Sequence, residues 1–224
     1  MVIDRFPSTE EADEYGLLAI GGDLEVSSLL LAYSQGIFPW PISDEFPLAW
    51  FSPDPRGVLD YQDFHISTSL KKILKSDQFE VRFNTNFKEV IDQCAKVPRK
   101  SQQGTWITPQ IINAFIQLHK SGHAYSVEVY NNQTQQLVGG LYGTCIGNTY
   151  SGESMFHLES NASKVALAYL MEKLHAHGIN WLDTQMVTPV VESMGGKEIP
   201  RKEFIKRIKL NQKKPEFNVF DQHI

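Results

Sequence analysis

The sequence predicts an α+β protein in which a small N-terminal unit, residues 1–60, precedes a larger domain, residues 61–224, built on a mixed sheet. Three observations predict it. Residues 36–55 hold five prolines and two tryptophans, which sets the first sixty residues apart, because proline fixes φ and removes backbone donors. Downstream, short β-favouring runs alternate with segments of helical spacing. Between them, residues 137–156 (LVGGLYGTCIGNTYSGESMF) read as two neighbouring strands with glycine at 139, 140, 143 and 147. Glycine inside a strand sacrifices backbone entropy and packing, so this density points to close backbone approach.

Taken in order, residues 4–15 are polar, and 16–24 (GLLAIGGDL) form a short apolar segment. A brief helix follows, capped by Ser27 or Ser28, with Leu29, Leu30, Ala32 and Tyr33 as its apolar stripe and Gly36 as its stop. Residues 36–55 are expected to be a rigid irregular loop in which Trp40, Trp50 and Phe51 offer an aromatic surface for stacking on a base or covering a pocket. Residues 67–74 read as a capped helix, 79–83 as a strand, and 86–95 as a helix. Thr108 caps a further helix whose first position is Pro109, and Ile111, Ile112, Phe115 and Leu118 line one of its faces. Residues 124–130 form a strand. A helix runs from Asn161 to about His177 and is stopped by Gly178. Residues 180–185 are then a strand in which Asp183 and Gln185, two apart, share a face. Residues 202–210 make the last helix.

Composition limits the function classes. A chain of 224 residues with 42% hydrophobic content can bury a proper core. The N-terminus has no leader pattern and no apolar run approaches the roughly 18 residues a membrane span needs, so a cytoplasmic protein is expected. Net charge of −5 argues against a general polyanion binder. A local basic group at Lys71, Lys72, Lys75, Arg82, Arg99 and Lys100 could still hold a nucleic-acid phosphate backbone. The histidine spacings suit no metal: 175 and 177 diverge on a helix, and Ser121-Gly122 separates 119 from 123. Ser154 lacks the second glycine of a nucleophile elbow. The glycines fit neither a dinucleotide nor a Walker loop, and Gln136 to Leu141 misses the Q-x-x-G-x-G pyrophosphate loop of a Coenzyme A acyltransferase at its last position. What remains is a carboxylate and an amide on one strand face, with Glu153 at the end of a nearby strand as a third polar group.

The motifs GLLAIGGDL, AYSQGIFPW, WFSPDPRGVL, FHISTSLKK, TWIT, SVEVY, LVGGLYG, GESMF, NASKVAL and LDTQ, in this order, resemble the leucyl/phenylalanyl-tRNA-protein transferases of bacteria over nearly the whole chain. The resemblance implies a small N-terminal domain joined to an N-acetyltransferase-like (GNAT) domain with a mixed, mostly antiparallel sheet. It implies transfer of leucine or phenylalanine, and less well methionine, from aminoacyl-tRNA to proteins with N-terminal Arg or Lys, which marks them for N-degron proteolysis. It assigns Asp183 and Gln185 to the catalytic pair and Glu153 to the acid near the acceptor amine. It places the donor side chain near Leu141, Met155, Leu170 and Leu174, and Trp50, Trp106 and Phe115 around the 3′ adenosine. Phe115 stands where the family commonly has tyrosine, and Leu141 where it often has methionine. The aminoacyl ester is already activated, so no cofactor or metal is demanded; a monomer is expected. A thioester-dependent acyltransferase and a non-catalytic tRNA-binding module are the competing readings.

Overall fold

The computed structural model describes residues 2–41, 48–97, 105–215 and 220. In chain order the strands are β1 (Leu17–Ile20), β2 (Phe38–Pro39), β3 (Ala49–Phe51), β4 (Arg56–Asp60), β5 (Phe79–Phe83), β6 (Ala124–Asn131), β7 (Leu137–Ile146), β8 (Thr149–His157), β9 (Trp181–Gln185) and β10 (Lys197–Ile199). The helices are α1 (Val26–Ser34), α2 (Thr68–Leu74), α3 (Phe87–Lys96), α4 (Pro109–Lys120), α5 (Ala162–Ala176), α6 (Pro189–Glu192) and α7 (Arg201–Asn211). Among the described residues no helix is long and apolar enough to cross a membrane. The α+β class and the mixed, mostly antiparallel sheet are both present.

Two sheets form. The smaller has the order β1-β3-β2 and belongs to the N-terminal region. The larger has the order β10-β4-β9-β8-β7-β6-β5, so the strand at residues 56–60 pairs with the later strands. Every pairing in it is antiparallel except β8 with β9, which is parallel and registers only Tyr150 with Leu182 and Ser151 with Asp183.

Side chains alternate across the large sheet, as strand geometry requires. On one face Val127, Val129 and Leu141 pack with Leu167, Leu170 and Leu174 of α5. On the other, Tyr142 and Phe156 meet Phe87 and Ile91 of α3, Phe115 of α4, and the N-terminal residues Leu29, Tyr33, Phe38 and Trp50 in one continuous cluster. The close approach announced by the glycines is made by the protein itself: a Cβ on Gly139 would lie 2.4 Å from the Cβ of Ala162, where α5 begins. Only glycine lets that helix settle so near the strand.

Local signals account for several boundaries. Thr108 accepts a hydrogen bond from the N–H of Ile111 at 3.3 Å and Pro109 occupies the first helical position, so α4 starts where the sequence places it. The expected serine cap of α1 is not formed. The helix begins at Val26, before either serine, and Ser28 lies fully buried inside it, accepting from the N–H of Ile3 at 3.1 Å and donating to Asp23 at 2.7 Å. Its hydroxyl ties the N-terminal segment down instead of capping a helix. The proline-rich stretch also holds more regular structure than expected, since β2 and β3 pair across it in two- and three-residue strands.

Candidate functional site

Asp183 on β9 is the most heavily engaged side chain of the region. Its Oδ1 accepts from Arg56 Nε at 2.8 Å and from the backbone N–H of Gln185 at 2.9 Å. Its Oδ2 accepts from Arg56 Nη2 at 2.7 Å and from Ser151 Oγ at 2.8 Å. Both partners of this fork-to-fork ion pair are 1% exposed. The guanidinium also donates to the carbonyl of Gly36 at 3.1 Å and lies between the rings of Phe38 and Phe204, 4.8 and 4.3 Å from their centroids. A planar, permanently charged group suits such a bidentate and ring-faced setting.

Gln185, the last residue of β9, departs from regular strand geometry. Its φ is +61°, and the β4–β9 register runs from Val58–Asp183 to Gly57–Gln185, leaving Thr184 as one extra residue on β9. This is a β-bulge, the device by which strands re-aim a side chain. Period-two alternation therefore does not set the direction of Gln185; the hydrogen bond to Asp183 and the bulge do. The bulge fits because position 57 is glycine: a Cβ there would stand 2.6 Å from the carbonyl carbon of Met186 and 2.8 Å from Thr184 Oγ1. The Gln185 amide then donates through Nε2 to Glu153 Oε1 at 2.9 Å.

Glu153, on β8, is buried at 9% exposure. Its Oε1 also accepts from the Tyr33 hydroxyl of α1 at 2.8 Å, so the N-terminal region supplies a side chain to the site. Its Oε2 is buried and has no hydrogen-bond partner among the described residues. Burial pushes its pKa up to about 8; hydrogen bonds from Tyr33 and Gln185 pull it down, the nearby Asp183 charge raises it, and Arg56 lowers it. Burial, with Glu153 next in weight, holds the Tyr33 phenol well above its ordinary value.

Of these groups Glu153 borders a cleft of about 390 Å³ whose walls are mainly apolar, and Gln185 is joined to it through Glu153. Leu141, Met155 and Leu170 line it, as do Glu153, Trp40 and Met186. Leu174 is not among its lining residues and sits fully buried in the core below α5. Of the aromatic candidates, Trp50 is 1% exposed, donates its indole N–H to Gly21 O at 2.9 Å and packs edge-on to Phe6. Phe115 is fully buried and reaches the cleft only through Tyr142, whose ring is 5.6 Å away. Trp40 lines the cleft, and Trp106, buried, lies against it with ring centroids 5.7 Å apart; Trp50 is not among the lining residues.

Lys71, Lys72 and Lys75 are exposed on or just after α2. Arg82 on β5 is forked onto Glu80 at 2.7 and 2.9 Å and covers the Tyr130 ring at 4.3 Å, so its charge is partly spent within the protein. Arg99 and Lys100 lie outside the described residues. Arg56 and Tyr33 are the site residues that motif reasoning missed. Arg56 appeared only inside a family landmark, and Tyr33 only as one apolar position of a helix.

The family model described as leucyl/phenylalanyl-tRNA protein transferase matches residues 58–209, and that of the N-terminal domain of the same proteins matches residues 22–54. The chain is 49% identical over 213 residues to a protein of Pseudoalteromonas atlantica named leucyl/phenylalanyl-tRNA--protein transferase, covering 94% of this chain and 89% of that one. Proteins of the same name from Dechloromonas aromatica and Flavobacterium johnsoniae are each 48% identical, over 92% and 91% of this chain and 88% and 95% of their own lengths.

Proposed function

Because the chain belongs to the leucyl/phenylalanyl-tRNA–protein transferase family, we propose that it transfers leucine or phenylalanine, and less well methionine, from aminoacyl-tRNA to the α-amine of proteins beginning with Arg or Lys. The product carries a new N-terminal residue that marks it for N-degron proteolysis. The observation that carries this reading is an apolar cleft bordered by a buried carboxyl group, Glu153, to which the buried Gln185 amide is hydrogen-bonded. Such a cavity suits an apolar side chain whose reacting carbonyl is presented to polar groups. Leu141, Met155 and Leu170 receive the donor side chain, and the flexible thioether of Met155 adapts to leucine, phenylalanine or methionine.

The reaction is aminolysis of an ester that is already activated, so the protein supplies position and polarity. Asp183 fixes the backbone of Gln185. The Nε2 of Gln185 is committed to Glu153, and its carbonyl oxygen is the acceptor for an N–H of the incoming amine. Exposed Lys71, Lys72 and Lys75 meet the tRNA phosphates. Single-turnover transfer from labelled Leu-tRNA to an Arg-initiated peptide tests the assignment: a peptide-bonded product at a rate above the uncatalysed control is expected, and its absence rejects the reading.

The terminal adenosine stacks on the Trp40–Trp106 pair in this reading. Base–aromatic stacking is worth roughly 1–3 kcal/mol, so Trp40→Ala should raise KM for aminoacyl-tRNA about tenfold or more with folding intact. Trp50→Ala should act on stability instead, lowering Tm, because a buried Trp truncated to Ala costs roughly 3–5 kcal/mol. Steady-state kinetics beside thermal melts of both variants distinguishes them; a KM effect confined to Trp50→Ala would reverse the assignment.

A further inference from the structure

We propose that Glu153 is the proton carrier of the transfer: Oε2 takes a proton from the attacking nitrogen as the C–N bond forms and delivers it to the 3′ oxygen as the ester C–O bond breaks. The proposal rests on the aminoacyl-transfer reading above and identifies the group that completes it. The step balances without an added reactant. A neutral amine attacks, its nitrogen becomes cationic in the tetrahedral intermediate, and Glu153 accepts one N–H proton to become a carboxylic acid. Collapse of the intermediate releases the 3′ oxygen, which receives that proton, and the carboxylate is restored.

Three observations point to this residue. The oxygen is uncommitted: Oε1 is held by Tyr33 and Gln185, while Oε2 is buried and has no hydrogen-bond partner among the described residues, in a side chain that borders the cleft. An amine bonded to the Gln185 amide oxygen is next to Glu153, because the same amide group donates to it. The alternatives are occupied or unsuited. Asp183 already accepts four hydrogen bonds, Gln185 does not titrate, Tyr33 is held in its protonated form by burial and by Glu153, and no histidine or cysteine is among the cleft-lining residues described. A carboxyl group titrating near 8 can both gain and release a proton near neutrality.

Tyr33 is a positioning residue in this scheme. Its hydroxyl fixes Oε1, leaves Oε2 as the free acceptor and stabilises the ionised carboxylate. The other charged or titratable groups around Glu153 are Arg56 from β4, Asp183 from β9, Tyr142 from β7, and Tyr150 on its own strand.

Single-turnover rates at subsaturating Arg-initiated peptide, measured from pH 6 to 9 with spontaneous ester hydrolysis subtracted, test the proposal. Below about pH 8 two groups must lose a proton: Glu153, and the α-amine with its pKa of roughly 7.7–8.0. The logarithm of the wild-type rate should therefore rise with a slope approaching two. Glu153→Gln should be about 100-fold slower at pH 8 and rise with a slope of one. Tyr33→Phe removes a donor to the ionised carboxylate, so the Glu153 limb should move to higher pH with KM for aminoacyl-tRNA unchanged. A Glu153→Gln variant within threefold of wild type, or a Tyr33→Phe profile superimposable on wild type, overturns the proposal. Absence of product from the unaltered protein instead rejects the transfer reading, and this proposal with it.

Discussion

Arg56→Met should lower Tm by about 6–20 °C and abolish transfer. The substitution leaves the Asp183 carboxylate, 1% exposed, without its cation. Breaking a buried pair in this way costs roughly 3–5 kcal/mol, a large share of the roughly 5–15 kcal/mol that holds a domain folded. For a chain of this size each kcal/mol corresponds to about 2–4 °C in Tm. The loss extends beyond one ion pair, because the same guanidinium holds the Gly36 carbonyl and packs on Phe38 and Phe204. The double variant Arg56→Met with Asp183→Leu should recover much of the stability, since an apolar pair of similar volume often replaces a buried ion pair at little net cost. It should remain inactive, because nothing then accepts the Gln185 backbone N–H. Thermal melts of the two single variants and the double variant form the cycle; a single-variant loss of under about 1 kcal/mol would contradict the buried-charge argument.

Gln185→Ala should reduce single-turnover transfer by about 100- to 1000-fold, the scale seen when a polar group aimed at a reacting centre is removed, with aminoacyl-tRNA binding intact. The backbone at this position is strained in a separable way. A non-glycine residue at φ +61° carries a penalty of order 1 kcal/mol or more. Gln185→Gly should thus be equally inactive yet more stable than Gln185→Ala, because glycine adopts this conformation freely. Equal Tm values for the two variants would mean that the left-handed turn costs nothing here. Transfer by Gln185→Ala at the wild-type rate would remove the amide from the mechanism.

Much of the fold was legible because its signals are local. The Thr108–Pro109 start of α4, the Gly178 stop after α5 and the β-favouring run of β6 each reside within a few residues. The site was legible only in part. Asp183, Gln185 and Glu153 stood out as polar groups at strand positions, but the groups that organise them come from far along the chain. Arg56 meets Asp183 across 127 positions and Tyr33 meets Glu153 across 120. No periodicity encodes a contact of that range. Tyr33 was read as a stripe residue because its ring is indeed in the core; its hydroxyl carries the further information. The choice between Trp40 and Trp50 was equally hidden, since composition cannot tell which indole a short strand turns inward.

The narrow parallel junction between β8 and β9 registers only Tyr150–Leu182 and Ser151–Asp183, and Glu153 and Gln185 stand just past it. The entrance is thus a property of the main chain, laid down when the ladder ends, and the wall residues only furnish it. Under the transfer reading proposed above, exchanges at positions such as Leu141 would retune which amino acid is admitted without deciding whether there is a doorway at all.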